Sequence, residues 1–213
     1  MDKILFYKSI RLFRYIYLNY FSKNVERRGQ GKIIPYKNAI IDLEPNSKII
    51  LYDKELEIGS NKLRYSKAET YIRLRKNAIW EVKNGASISY GATIEVLYDA
   101  VLDTCFFTMN SFSVIICAKN IVIGDDVMIG RNVTVYDSDF HKIQNNLKEV
   151  SQKVYIGNHV WLTSHVTILK GVTISDGCIV GNHTVINKNI EANQLVTSNI
   201  AQVVRREKIE WRK

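Results

Sequence analysis

The chain has 213 residues, 46% of them hydrophobic and 10% aromatic, with a formal net charge of +9. That apolar content excludes disorder as the general state, and the length fits one domain with a modest appendage. The three cysteines are scattered, with no CxxC pair; Cys117 and Cys178 read as small buried hydrophobes, and a reducing compartment fits.

Residues 1 to about 24 are predicted to be helical. The stretch Ile4-Leu5-Phe6-Tyr7 to Tyr20-Phe21 is aromatic-rich and interrupted by Lys8, Arg11 and Arg14, which makes it a poor transmembrane span. No clean apolar core or small-residue cleavage site marks it as a signal peptide. Two readings stay open: a basic amphipathic helix lying on a membrane face, or a helix packed on the end of the domain or on a partner subunit. Residues 1 to 32 carry Lys3, Lys8, Arg11, Arg14, Lys23, Arg27, Arg28 and Lys32 against Asp2 and Glu26. The C-terminus adds Arg205, Arg206, Lys208, Arg212 and Lys213. No nucleic-acid-binding motif accompanies this charge, so nucleic acid is not an expected partner. An acidic surface, or a polyanionic substrate or cofactor, fits it better.

A connector through Pro35 completes a first segment, residues 1–40. Residues 41–116 alternate short apolar runs with charged turns, among them Ile49-Ile50-Leu51-Tyr52, Leu56-Glu57-Ile58-Gly59 and Ile79-Trp80-Glu81-Val82. They read as irregular first coils of a solenoid whose register the spacing does not fix. Regular repeats fill 117–192, and 193–213 is a basic tail with one short apolar run, Leu195-Val196.

The repeats have a period of six. Every sixth residue gives Ile156, Leu162, Ile168, Ile174, Val180 and Ile186, and four residues after each come Val160, Val166, Val172, Cys178, Thr184 and Ile190. Neither a helix nor an alternating strand produces this period; a hexapeptide parallel β-helix does. The same beat runs through Cys117, Ile123, Ile129 and Val135. The phase breaks once, and the polar segment 136–153 between the two runs reads as a loop thrown out of a rigid scaffold, a natural place for function. Three hexads make one coil, so residues 18 apart stack at about 4.8 Å. That places Ser164 under Asn182 and His165 under His183.

The run Ile156-Gly157-Asn158-His159-Val160-Trp161-Leu162, continued by Val166 to Ile174, resembles the hexapeptide-repeat acetyltransferases. It is most similar to the O-acetyltransferases of bacterial surface polysaccharides, including those of polysialic acid. The match covers about residues 110 to 206. The resemblance implies an all-β, left-handed parallel β-helix with a short N-terminal helical segment; the general crossover rule would give the opposite hand. It implies acetyl-CoA as co-substrate, no metal, a homotrimer with active sites between subunits, and a glycan hydroxyl as acceptor. His141, in the loop, takes the place of the family's catalytic base, since imidazole titrates near neutral pH and a sugar hydroxyl needs its proton removed. Asp139 and Asp137 are candidates to orient its ring. The family often has proline after this histidine, where Lys142 stands here. Trp161 and Asn110 match acceptor-binding positions. Ser164 and Asn182 would line the pantetheine groove, with Asn187, Lys188 and Arg205 also carried over as coenzyme contacts, the last two meeting phosphates. The family's tail motif of glycine, proline and a basic residue reads here as Ser198, Ile200 and Gln202.

Alternatives come from other classes. A sugar N-acetyltransferase has the same fold, and a trimeric zinc hydrase of the gamma-carbonic anhydrase type would use histidines such as His159, His165 and His183. A structural trimer is a third. All three histidines fall at one turn position, where a surface ladder explains them. The early basic helix favours a cytoplasmic protein in peripheral contact with the inner face of the membrane.

Overall fold

The computed structural model describes residues 10–142 and 149–198. Among them, short parallel strands stack into sheets of 7, 8 and 7 strands. From Val25–Arg27 to Thr167–Ile168, each strand pairs with the strand three places further along the chain. One coil, for example, comprises Asn120–Ile123 on a first face, Val127–Ile129 on a second and Thr134–Tyr136 on a third. The architecture is a three-sided parallel β-helix.

The six-residue beat is the signature of its interior. Ile156, Val160, Leu162, Val166, Ile168, Val172, Ile174, Cys178 and Val180 are each at most 1% exposed. Both apolar series therefore point inward, and stacking is as expected from 18-residue coils: Tyr155 pairs with Thr173, Trp161 with Ile179 and Thr167 with Val185. A fully buried aliphatic side chain contributes about 1.5–3 kcal/mol, so each coil is held chiefly by the two that sandwich it.

The earlier coils are continuous with this prism but wider. Ile79 pairs with Val101, 22 residues on, and Phe107 with Val127, 20 on. Their strands have four residues in Lys48–Leu51, Ile79–Val82 and Val101–Thr104, against two in Trp161–Leu162. The larger section accommodates Trp80 and Phe107, both fully buried. The Trp80 indole Nε1 donates to Thr104 Oγ1 at 3.1 Å, so its polar edge is satisfied inside the core. A longer coil cannot keep a period of six, which is why no beat appears before Cys117.

The N-terminal segment differs from the expected 24-residue helix. Residues 1–9 lie outside the described residues. An α-helix spans Leu12–Ile16 and continues as a π-helix over Tyr17–Phe21. The expected connector is already the first coil: Val25–Arg27, Ile33–Pro35 and Ala39–Leu43 are strands of the three faces. The helix lies across the end of the prism. Leu18 is buried in the core. The Asn19 amide donates to the Ile33 carbonyl at 2.7 Å and accepts from the Ile33 N–H at 3.0 Å, while the Arg14 guanidinium donates to the Ile41 carbonyl. Packing on the solenoid end is therefore realised. Among the described residues no helix is long and apolar enough to cross a membrane.

At the other end, Leu195–Val196 adds a strand to the second face through Ile179–Val180, so stacking runs past the expected boundary at 192. Residues 199–213, with Arg205, lie outside the described residues.

Ile129 stacks in one column between Met109 and Leu162. Ile129→Ala is expected to cost about 2–5 kcal/mol, read as a lowered melting temperature. Val185→Ala, on an outward side chain 60% exposed, should stay within about 0.5 kcal/mol of the parent.

Candidate active site

Two grooves and one loop hold the expected site residues other than Arg205. The first groove, open and about 460 Å³, is lined by Asn110, Gly130, Arg131, Trp161, Thr163, Ser164 and Asn182. It runs along the edge where the second face turns into the third. The strand Trp161–Leu162 sends Leu162 inward, so the indole stands outward at 37% exposure. The Ser164 N–H donates to Asn182 Oδ1 at 3.0 Å, and Thr163 Oγ1 donates to the Val180 carbonyl at 2.7 Å. Gly130 forms part of the floor: a Cβ there would come within 2.6 Å of the Thr163 carbonyl carbon, so only glycine lets the coils approach.

Asn110, Trp161, Ser164 and Asn182 thus come together along one groove. Arg131 joins them, a residue absent from the expected set. It occupies the turn position of Ser164 and Asn182, because Met128 pairs with Trp161 and Ile129 with Leu162. The stacking rule finds it once register is carried across the loop, and the phase break concealed it. Its side chain is exposed and makes no ion pair with a described residue.

A second groove of about 610 Å³ lies at the C-terminal end of the described residues. Its lining includes His183, Asn187, Lys188, Gln194, Val196 and Ser198. Asn182 borders the first groove and His183 the second, so the two meet at one turn. Asn187 and Lys188 therefore stand apart from Ser164, reachable only by an elongated ligand.

The loop 137–153 leaves a different edge, between the third face and the first; residues 143–148 of it lie outside the described residues. Its base is a short antiparallel ribbon, with a bridge between Ser138 and Ser151. Asp137 is fully buried, and its carboxylate accepts from the backbone N–H groups of Ala118, Lys119 and Asn120 at 2.6, 2.7 and 2.7 Å. Three amides on one carboxylate fasten the loop to the preceding coil, which is a structural role. Asp139 also departs from its expected pairing. Its Oδ2 accepts from Lys170 Nζ at 2.5 Å, and the same ammonium donates to the Glu149 carbonyl at 2.6 Å. Asp139 reaches His141 only through the backbone, its carbonyl accepting the His141 N–H at 2.7 Å. Lys170 thereby clasps both strands of the ribbon and sets the turn that presents an exposed imidazole.

No described loop residue lines the first groove. Within one chain, His141 and Trp161 sit at different edges of the prism and are not brought together.

The remaining histidines are turn residues. His159, His165 and His183 have φ of 53°, 60° and 57°, the left-handed turn conformation also used by Asp126 and Asn132. The His165 and His183 rings stack at 4.5 Å, 8° from parallel, and His159 Nδ1 lies 2.7 Å from Asp126 Oδ2. Among the described residues, no three of His, Cys, Asp and Glu within the chain come together as a ligand group. Burial pushes the thiols of Cys105, Cys117 and Cys178 up, with the Asp137 carboxylate adding to the effect on Cys117. None is poised as a thiolate.

No protein-family model and no curated protein matches the sequence. Solved structures do match. The polysialic acid O-acetyltransferase OatWY superposes with a TM-score of 0.53 at 24% identity, over 89% of this chain and 91% of its own. The polySia-specific acetyltransferase NeuO gives 0.50 at 14% identity, over 90% of each. The chain shares their fold. It is a left-handed parallel β-helix along nearly its whole length, the wide first coils included.

Lys170→Met should release the loop while leaving the columns intact. We expect cleavage by a protease within 137–153 to quicken about tenfold, the factor for about 1.4 kcal/mol of local opening, with little change in melting temperature. Unchanged cleavage would show that the ribbon holds without its clasp.

Proposed function

We propose that this chain is an acetyl-CoA-dependent O-acetyltransferase acting on a hydroxyl of a bacterial surface polysaccharide or its precursor. The observation that carries the reading is the loop. The longest excursion from the apolar columns is fastened at its base by Asp137 and Lys170 to hold a single imidazole outside the prism. The fold shared with a polysialic acid O-acetyltransferase and a polySia-specific acetyltransferase is consistent with it.

In this reading His141 is the general base. Its free ring nitrogen takes the acceptor hydroxyl proton as that oxygen attacks the thioester carbonyl carbon. The tetrahedral intermediate collapses by breaking the carbon–sulfur bond, and the coenzyme leaves as a thiolate that recovers the proton from the imidazolium. Asp139 is a positioning residue rather than the ring's partner, because its carboxylate is taken by Lys170. The Trp161 face suits the CH surface of a sugar, with Asn110 beside it. The pantetheine arm would follow Ser164 and Asn182. The nucleotide end would cross the turn at His183 to Asn187 and Lys188, with Arg205 as a further cation for its phosphates.

Because loop and groove occupy different edges, one chain is an incomplete site. A homotrimer of parallel prisms, in which the loop of each copy reaches the groove of the next, completes it three times over.

His141→Ala is expected to lower kcat about 10²- to 10⁴-fold, with acetyl-CoA binding by calorimetry and the melting temperature unchanged. Near-full turnover in this variant refutes the mechanism. Mixed oligomers of His141→Ala and Trp161→Ala chains should regain activity that neither variant has alone, since one interface then holds both native residues. A stable, fully active monomer in sedimentation would rule out the shared site. Positional NMR of products from capsular polymers and component sugars identifies the acceptor; turnover confined to amines would favour the sugar N-acetyltransferase.

A further inference from the structure

The helix that closes the N-terminal end has an outer face unlike the rest of the surface. Leu12, Phe13, Ile16, Tyr17, Tyr20 and Phe21 are exposed by 60, 90, 39, 49, 63 and 71%. They form three pairs spaced by four residues, and that spacing aligns them in one stripe along a helix that widens from α to π geometry. The opposite face is committed, with Leu18 and Asn19 buried against the first coil. Nothing inside the described chain covers the stripe.

Its borders are basic. Lys32 Nζ lies 5.1 Å from the Tyr20 ring centre, and the Arg14 guanidinium carbon 5.7 Å from that of Tyr17. Beside the start of the helix, Arg11, Lys37 and Lys67 line a shallow groove with Ile40, and Glu69 is the acidic residue among them. An apolar, aromatic stripe edged by cations matches an anionic bilayer: the rings settle at the depth of the headgroups and the cations meet lipid phosphates. A second copy fits less well, because apposing two such stripes would bring Arg11, Arg14, Lys32 and Lys37 against their own equivalents.

We propose that residues 11–21, with Lys32 and Lys37, dock this end of the β-helix on an anionic lipid surface. The helix lies in the membrane plane and the prism stands away from it. The inference is independent of the acetyl-transfer reading, since neither groove nor loop contributes to it.

Flotation of the full chain with vesicles tests it, comparing phosphatidylcholine alone with a mixture of phosphatidylcholine and phosphatidylglycerol at low salt. The mixed vesicles should bind the protein, and added salt should release it. Arg11→Glu with Lys37→Glu should weaken that binding at least thirtyfold, as about two lost cations imply and reversal exceeds. Phe13→Ser with Phe21→Ser should weaken it at least tenfold. All four side chains are on the surface, so melting temperatures should match the parent. Absence of binding by the parent, equal binding to neutral vesicles, or variants that bind like the parent would each overturn the proposal. So would lipid-free self-association that vanishes in Phe13→Ser with Phe21→Ser, which would make the stripe a contact between copies.

Discussion

The structure depends on vertical contact between identical rungs. An inward Ile, Leu or Val touches the residue one coil above and one below, and loses its contact with water only because both are present. Few contacts join residues near in sequence without passing through such a column. The rung spacing then leaves little freedom elsewhere. Turns must fit a fixed corner, so they take left-handed residues, and a glycine such as Gly130 is needed where two backbones come within a Cβ of each other. Outward positions carry no packing duty and are open to chemistry. The groove of Trp161, Ser164 and Asn182 and the loop of His141 are both built on that freedom.

The ends of such a column are its weak places, since the terminal rung has a neighbour on one side only. At the N-terminal end the helix supplies the missing contact by inserting Leu18 and by pairing Asn19 with the Ile33 backbone as another strand would. Its α-to-π transition lets a short helix cross the mouth of the prism while turning a stripe of rings outward. The C-terminal rung is handled differently: Leu195–Val196 covers the second face, and the groove with Lys188 opens beside it. One end of the solenoid is closed with apolar mass, and at the other a groove opens among the described residues.

The legibility of the sequence follows from which contacts repeat. Where each coil is 18 residues, from Ile156 to Ile190, inward columns, stacked pairs and turn histidines could all be read from spacing, and Ser164 does meet Asn182. Where coils widen to hold Trp80 and Phe107, the same columns exist but leave no fixed period, so the first coils were visible only as strand-like runs. Arg131 stayed hidden for a related reason: its place in the groove is defined by a partner 33 residues away, across the insertion. The places of the aspartates are not legible in sequence because both answer to tertiary partners. Asp137 is claimed by three amides of another coil and Asp139 by Lys170, and neither relation has a signature in local sequence. The helix is legible in composition, but its C-terminal end is not, because Val25–Arg27 reads as charged connector until the strand Lys48–Leu51 is placed beside it.

The attachment of the loop has a consequence for how this fold can diversify. Asp137 anchors its departure, Gln152 returns a hydrogen bond to the Asp137 carbonyl at 2.8 Å, and Lys170 ties the two legs together from the following coil. The points where the excursion begins and ends are therefore specified by residues that belong to the scaffold's own rungs. Whatever chain is strung between those points, the rungs on either side keep their spacing. The excursion behaves as a cassette, and its length and composition can drift under selection for a new acceptor without any compensating change in the columns.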